Sequence, residues 1–311
     1  MKIIRKLAET EHGSEPLAVA LGAFDGLHLG HKAVIDAART PELPLAVFTF
    51  FDDPAVFFGA KQRDLTTPGE RLEILERWGV DIVIMPEFAE AAGLSPAAFT
   101  AFLRERLGAK VLAAGENFRF GKGAAGNIEF LQADAEQYGL QLRIAETALF
   151  DGKPISATRI RDAVEAGDMK QASKMLGRAF GFKFPVVHGN HIGRTMGTPT
   201  INQHFPEGFV LPKFGVYASA VHVGETLYCG VTNVGVKPTV GSDRALSETW
   251  MPDFSGDLYG KSLRLELLDF IRPEKKFSGL EALRAEIYRN GEQAREIFAQ
   301  AVALQDKAGN V

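Results

Sequence analysis

The sequence predicts an α/β plus β-barrel protein: a parallel sheet with flanking helices, then a small antiparallel β-barrel with a terminal helix. Three observations lead there. At 311 residues the chain exceeds the usual size of one compact core, so two domains are expected. Its first half alternates apolar, strand-like runs with amphipathic helical segments, the pattern of parallel strands joined by helices. From about Phe182 the apolar runs alternate residue by residue between glycine and proline turns, which suits short antiparallel strands. The boundary is placed near residue 181, giving domains 1–181 and 182–311.

In the first half, strands are expected at 17–24, 43–50, 81–85, 110–114 and 140–145. The helix ahead of the third strand has clear punctuation. Thr67 caps it, Pro68 suits its first position, Glu70 completes a capping box, and Gly79 ends it. Ser95-Pro96 opens another, with Phe99, Phe102, Leu103 and Leu107 on its apolar side and Gly108 at its end. Two short helices at 156–166 and 168–176 close the domain. In the second half, strands are expected at 184–187, 215–223, 227–234 and 263–270. Val216, Ala218 and Ala220 share one face of the second of these, and Tyr217, Ser219 and Val221 the other. The terminal helix is expected to start at Ser278, with Glu281 three residues later.

Composition narrows the function classes. An apolar fraction of 46% with 24% charged residues is ordinary for a soluble globular protein. A net charge of −4 makes no electrostatic case for nucleic acid or membrane as a partner. The single cysteine, Cys229, rules out an intrachain disulfide and fits a reducing cytoplasmic setting. The N-terminus meets charge too early for a signal peptide, and no run is long and apolar enough to span a bilayer. The 23 phenylalanines read as core filling. His12, His188, His191, His204 and His222 read as structural or surface groups, and 272–276 as a solvated approach to the last helix.

The chemistry concentrates in a few segments. Gly22-Ala23-Phe24-Asp25-Gly26-Leu27-His28-Leu29-Gly30-His31 follows the first strong strand and leads into a helix. Backbone N–H groups at such a turn lack partners and the helix dipole favours anions, so Gly22, Phe24, Gly26 and Gly30 are candidates for holding phosphate. His28 and His31, three apart, face one way and can stabilise charge on a phosphate in a transition state. Asn117, Phe118, Arg119 and Phe120 lie in a glycine-rich loop, 115–123, after another strand. The ends of parallel strands gather on one rim, so this loop is a candidate for nucleotide or flavin contact or simply a surface turn. It is not a Walker loop, because its glycines are spaced wrongly and Gly123 stands where Ser or Thr would bind magnesium. In 155–161, Ser156 is a candidate cap and Arg159 and Arg161 fall in a first helical turn, a place that suits arginine when an anion is bound; the residues by themselves fit two solvated arginines equally.

In the second half, Thr200 and Asn202 either point the same way on an extended segment, as a hard-oxygen pair suited to Mg²⁺, or simply mark a turn, the usual meaning of a bare P-T-x-N. Gly193 and Gly197 flank a loop fit to close over phosphates. Glu248 fits either a general base for a substrate hydroxyl or a surface glutamate on a strand.

These motifs carry a family resemblance. The H-x-G-H pattern resembles the nucleotidyltransferase superfamily, and the longer G-x-F-D-G-x-H-x-G-H resembles its FAD synthetase branch, as does G-x-x-F-x-F-G at 115–121. The segment I-S-A-T-R-I-R resembles the phosphate-holding I-S-S-T-x-x-R, with Ala157 in place of the second serine. The series G-R-T-x-G-x-P-T-x-N, F-G-V-Y-A, N-V-G-V-K-P-T, E-T-x-x-x-D-F-x-G-D-L-Y-G and I-R-P-E-K-K-F is similar to riboflavin kinase. Nearly the whole chain thus resembles the bifunctional prokaryotic riboflavin kinase/FAD synthetase family. The resemblance implies a Rossmann-like nucleotidyltransferase sheet at 1–181 and a riboflavin kinase barrel at 182–311. It implies ATP, riboflavin, FMN and FAD as substrates and products, with Mg²⁺. It further implies Thr200 and Asn202 as ligands of Mg²⁺ and ATP, Glu248 as base, and Ser156, Thr158 and Arg161 as ATP-phosphate contacts. Two alternatives stay open: a kinase alone, with Ala157 marking a weakened adenylyltransferase, or a non-catalytic flavin or nucleotide sensor.

Overall fold

The structure, a computed structural model, describes residues 1–10, 15–189, 198–236 and 244–308. Its internal contacts divide it into two compact units, Met1–Ala157 and Thr158–Val311.

In the first unit, β1 (Lys2–Ile4), β2 (Leu17–Leu21), β3 (Leu45–Phe48), β4 (Ile82–Ile84), β5 (Ala109–Gly115) and β6 (Gln141–Ala145) form one sheet in the order β1-β4-β3-β2-β5-β6. Every neighbouring pair is parallel. Parallel strands covered on both faces read as continuous apolar runs, and β2, Leu-Ala-Val-Ala-Leu, is buried at all of its positions. The helices are α1 (Leu29–Ala38), α2 (Pro54–Phe57), α3 (Pro68–Arg77), α4 (Phe88–Ala92), α5 (Pro96–Ala101) and α6 (Ile128–Tyr138). Ile35, Ile74 and Leu75 from α1 and α3 join one core layer, and Phe99, Leu103 and Leu131 the other. The capping box at Thr67 and Glu70 forms as expected. The helix begun by Ser95 passes at Phe102–Arg106 into a π-turn. A small ribbon, β7 (Leu149–Phe150) with β8 (Lys153–Pro154), completes the unit.

The sheet's connectivity marks one switch point. Successive strands from β2 run outward through β3 and β4, and the chain then returns to place β5 on the other side of β2. Ligands of open parallel sheets collect where the order reverses, beyond the strands' C-terminal ends. The loops leaving β2 and β5 flank that point, and they carry His28 and Asn117–Phe120 respectively.

The second unit begins with α7 (Ala157–Ala166) and α8 (Met169–Leu176), the pair expected to close the first domain. Lys213 N–H bonds Val164 O at 3.2 Å, and Lys170 Nζ lies 2.6 Å from Asp269. Residue 181, where the boundary was expected, falls inside a strand. The strands are β9 (Phe180–Pro185), β10 (Thr200–His204), β11 (Gly215–Val223), β12 (Thr226–Val236), β13 (Ala245–Trp250) and β14 (Ser262–Arg272), in the order β10-β13-β12-β11-β14-β9. All neighbours are antiparallel, and the sheet curls into a half-barrel. Its edges meet through an isolated bridge from Val187 to Asn202. Gln203 Nε2 donates across the same gap to Phe184 O at 2.7 Å and Leu263 O at 2.8 Å.

Inside the curl, Phe182, Phe184 and Phe205 pack ring against ring. The same inner face carries a buried chain of hydroxyls: Ser219 with Thr232 at 2.7 Å, and Thr232 with Thr249 at 2.8 Å. On the outer face, Val216, Ala218, Cys229, Val231 and Trp250 meet Ile287, Ala294, Ile297 and Phe298 of the last helix, α9 (Leu280–Ala308). The two faces of β11 divide as its alternation predicts. Burial pushes the Cys229 thiol pKa up to about 11, so this cysteine is inert packing. Helix α9 starts at Leu280, which puts Gly279 rather than Ser278 at the cap position.

Candidate functional sites

The loop after β2 makes a short turn out of strained backbone. Phe24, Gly26 and Leu27 take φ of 52°, 72° and 43°, a left-handed region that costs residues with a Cβ. Thr49 Oγ1 ties the loop down by donating to Ala23 O at 2.7 Å. His28 then occupies the N-cap of α1, and its Nδ1 accepts the His31 N–H at 3.3 Å. With Nδ1 accepting, the ring proton of neutral His28 belongs on Nε2, which leaves Nε2 as the donor. The two imidazoles stack with centroids 3.6 Å apart, so the structure brings together the pair that the sequence singles out.

The glycines now have physical reasons. A Cβ on Gly30 would lie 3.1 Å from the His28 ring, and one on Gly22 would lie 3.0 Å from the Phe24 ring. Phe24 is 1% exposed and stands edge-on to His31 with centroids 5.2 Å apart. Its place is behind the histidines, packing them, not out on a ligand surface.

The second rim loop is divided. Asn117 and Arg119 are exposed, whereas Phe120 is buried against Phe99 and stacks on Phe118. Beyond β3 and β4, residues that sequence reasoning assigned to the core emerge at the same strand ends. Phe50, Phe57, Phe58 and Phe88 form an aromatic group in which Phe88 lies 4.9–5.7 Å from the other three rings. Phe57 and Phe58 are 51% and 70% exposed, too open for core filling. The buried Arg71 holds this segment, donating to Phe50 O at 2.9 Å and Phe51 O at 2.5 Å. Doubled phenylalanines beside Asp52-Asp53-Pro54 were the available signal. Ser156 lies next to the end of the first unit at Ala157, and Thr158 and Arg161 lie at the start of the second on α7.

In the half-barrel the candidate groups lie in a row. The register pairs Asn202 of β10 with Glu248 of β13, and Glu248 with Asn233 of β12. Paired residues share a face, so all three side chains leave the outer surface of the sheet together. Thr200 and Trp250 form the next pair along the same face. Asn202 is 4% exposed, and its Oδ1 has no hydrogen-bond partner among the described residues. A Cβ on Gly189 would lie 2.5 Å from the Asn202 amide, so backbone closes over it there. A buried, unpaired amide oxygen beside a threonine hydroxyl is a donor set that fits a hard cation. Gly193 and Gly197 lie outside the described residues.

Next to this row is a cavity of ≈ 480 Å³ between the end of β13 and α9, lined by Pro199, Trp250, Phe254, Tyr288, Gly291 and Arg295 among others. Trp250 and Tyr288 meet edge to face at 5.4 Å. A Cβ on Gly291 would press within 3.0 Å of the Trp250 ring, which accounts for a glycine inside a long helix. The volume and aromatic walls suit a flat organic ring system.

A histidine-bearing rim on a parallel sheet in one unit, and an acid–amide row beside an aromatic cavity in the other, are the arrangements expected of a two-unit kinase and nucleotidyltransferase. Comparison with known proteins agrees. Residues 10–159 match the FAD synthetase family and residues 176–298 match riboflavin kinase. The chain is 35% identical over 308 residues to the bifunctional riboflavin kinase/FMN adenylyltransferase of Escherichia coli K12, covering 96% of this chain and 98% of that one. It is likewise 35% identical over 292 residues to the enzyme so named from Listeria monocytogenes, covering 91% and 92%. The chain belongs to the bifunctional riboflavin kinase/FMN adenylyltransferase family. A crystal structure described as a macrolide-efflux protein from Streptococcus pneumoniae shares its backbone, with TM-score 0.84, 30% identity and coverage of 94% and 98%. No described helix of the present chain is long and apolar enough to cross a membrane.

Proposed function

We propose that the second unit phosphorylates riboflavin with ATP to give FMN and ADP, and that the first unit joins FMN to the AMP part of a second ATP. In the kinase step Glu248 accepts the proton of the flavin 5′-hydroxyl as its oxygen attacks the γ-phosphorus, and ADP leaves. The aromatic cavity beside Trp250 and Tyr288 receives the flavin ring. Thr200 and Asn202 would hold Mg²⁺, which spreads the charge of the ATP phosphates when bound. Gly193 and Gly197 belong to the loop proposed to cover those phosphates.

In the second step a phosphate oxygen of FMN attacks the α-phosphorus of ATP and pyrophosphate leaves. His28 Nε2–H and the His31 ring donate to the oxygens that gain charge, and no covalent enzyme intermediate is needed. The N-terminal turn of α1, with Gly22, Gly26 and Gly30, cradles phosphate. Phe57, Phe58 and Phe88 offer the flavin a stacking surface, with Asn117, Phe118 and Arg119 on the neighbouring loop. Ser156, Thr158 and Arg161 are assigned phosphate contacts on the strength of their motif. The working partners are small molecules, and the setting is the cytoplasm.

The observation that carries this reading is the in-register pairing of Asn202 with Glu248 beside an aromatic cavity. The experiment is incubation with riboflavin, ATP and Mg²⁺, with flavins separated by chromatography. FMN followed by FAD and pyrophosphate is expected. FMN alone would leave a kinase with an idle first unit, and unchanged riboflavin would overturn the proposal.

A further inference from the structure

The segment 272–276, Arg-Pro-Glu-Lys-Lys, is no solvated approach to a helix. Its residues are shared between the two sides of the kinase site. Arg272 Nε and Lys275 Nζ turn toward α9, where each reaches Oε1 of Glu286, at 3.2 Å and 3.0 Å. Arg289 Nη1 holds the other oxygen of Glu286 at 2.6 Å. Glu286 is only 7% exposed, and Arg272 Nε also donates to Asn290 Oδ1 at 3.0 Å. Glu274, between them, turns the opposite way and accepts from Asn233 Nδ2 at 3.4 Å. The missing side chain of Gly235 makes room, since a Cβ there would fall 2.4 Å from the Glu274 carboxylate. Asn233 is the in-register neighbour of Glu248.

We infer that Glu286 is a positioning residue for the riboflavin-binding step. Through the strap 272–276 it fixes the helix that walls the flavin cavity against the strands that carry the base. The inference rests on the kinase reading above. Tyr288, Gly291 and Arg295 follow Glu286 within three turns of the same helix, so a shift of that helix moves one wall of the cavity and leaves the Trp250 wall in place. Lys275 and Arg289 are themselves well exposed, so the hold of Glu286 is carried chiefly by Arg272, whose side chain is 17% exposed and loses a partner when the carboxylate is neutralised. The apolar seam of Ile287, Ala294, Ile297 and Phe298 holds the helix to the sheet without it. Glu286 therefore acts chiefly on the helix's placement, not on whether it docks.

The test is steady-state kinetics of Glu286→Gln in the full chain, with Lys275→Met as a milder second variant. The expected result is a KM for riboflavin raised about tenfold, with KM for ATP and the conversion of supplied FMN to FAD unchanged. Lys275→Met should move the same constant in the same direction, and the double variant should fall short of the summed effects. Equal rises in both KM values, or a lowered Tm with normal kinetics in both variants, would overturn the inference. If Glu286→Gln does not fold, Lys275→Met alone decides by the same criteria. Failure of the wild-type chain to phosphorylate riboflavin would instead remove the reading beneath it.

Discussion

The stacked rings of His28 and His31 hang from a loop bent repeatedly into left-handed backbone, whereas Asn202, Glu248 and Asn233 lie straight across three paired strands. The first arrangement is local. Its residues are close in sequence, and glycines at 22, 26 and 30 let the rings and the turn occupy their places. The second is assembled from strands far apart in the chain, and each side chain is ordinary by itself. A local site announces itself in sequence through odd composition. A distributed site does so only through the register that joins its parts.

The sharpest way to break this comparison is to disable one site and read the other. Glu248→Gln should slow FMN formation by about 10³-fold, the size expected for loss of a general base. Formation of FAD from supplied FMN should stay normal. Undiminished riboflavin phosphorylation would remove Glu248 from its role. The reciprocal experiment replaces His28 and His31 together by Ala. Loss of two charge-stabilising donors should cost the adenylyl step about 10²–10³-fold and spare the kinase. A normal rate of FAD production would show the histidine pair to be packing alone.

Smaller changes sharpen it. Gly30→Ala should lower FAD synthesis about tenfold, because the new methyl displaces the His28 ring while the helix gains a better former. Thermal unfolding that drops along with activity would mean the glycine serves the fold and not the ring. Phe57→Ala and Phe58→Ala should each raise the KM for FMN severalfold at no cost in Tm, since a base-like ring stacking on an aromatic is worth roughly 1–3 kcal/mol. An unchanged KM for FMN would return those rings to mere surface. Thr67→Ala removes the cap of α3 and should cost about 1 kcal/mol of stability in denaturant unfolding, with both activities intact.

Much of the first unit was legible because its signals are local. Thr67, Pro68 and Glu70 punctuate α3, and the apolar runs of β2 and β5 are continuous because both faces are covered. Strand β1 was not, since two of its three residues are exposed at the sheet's edge. The aromatic rim was missed because phenylalanine is the same letter in a core and on an exposed rim. In the second unit β10 and β13 were absent from the expected strands for a different reason, although Thr200, Asn202 and Glu248 were read as extended chain. The inward residues of Ala245–Trp250 include Ser247 and Thr249, which are buried yet polar, so the strand shows no apolar alternation. Likewise Arg272, Glu274 and Lys275 looked like solvated charge because their partners, Glu286 and Asn233, are remote in sequence.

The buried hydroxyls of Ser219, Thr232 and Thr249 have one more consequence. Side chains alternate along a strand, so a slip of β13 by one residue would turn Glu248 inward and Thr249 outward. It would put a carboxylate into the buried inner face and break the Thr232–Thr249 bond in the same movement. Mispairing that misplaces the base is thereby also the mispairing the interior tolerates least. The hydroxyl ladder works as a proofreader: a chain that folds at all into this half-barrel has Glu248, the proposed base, facing outward.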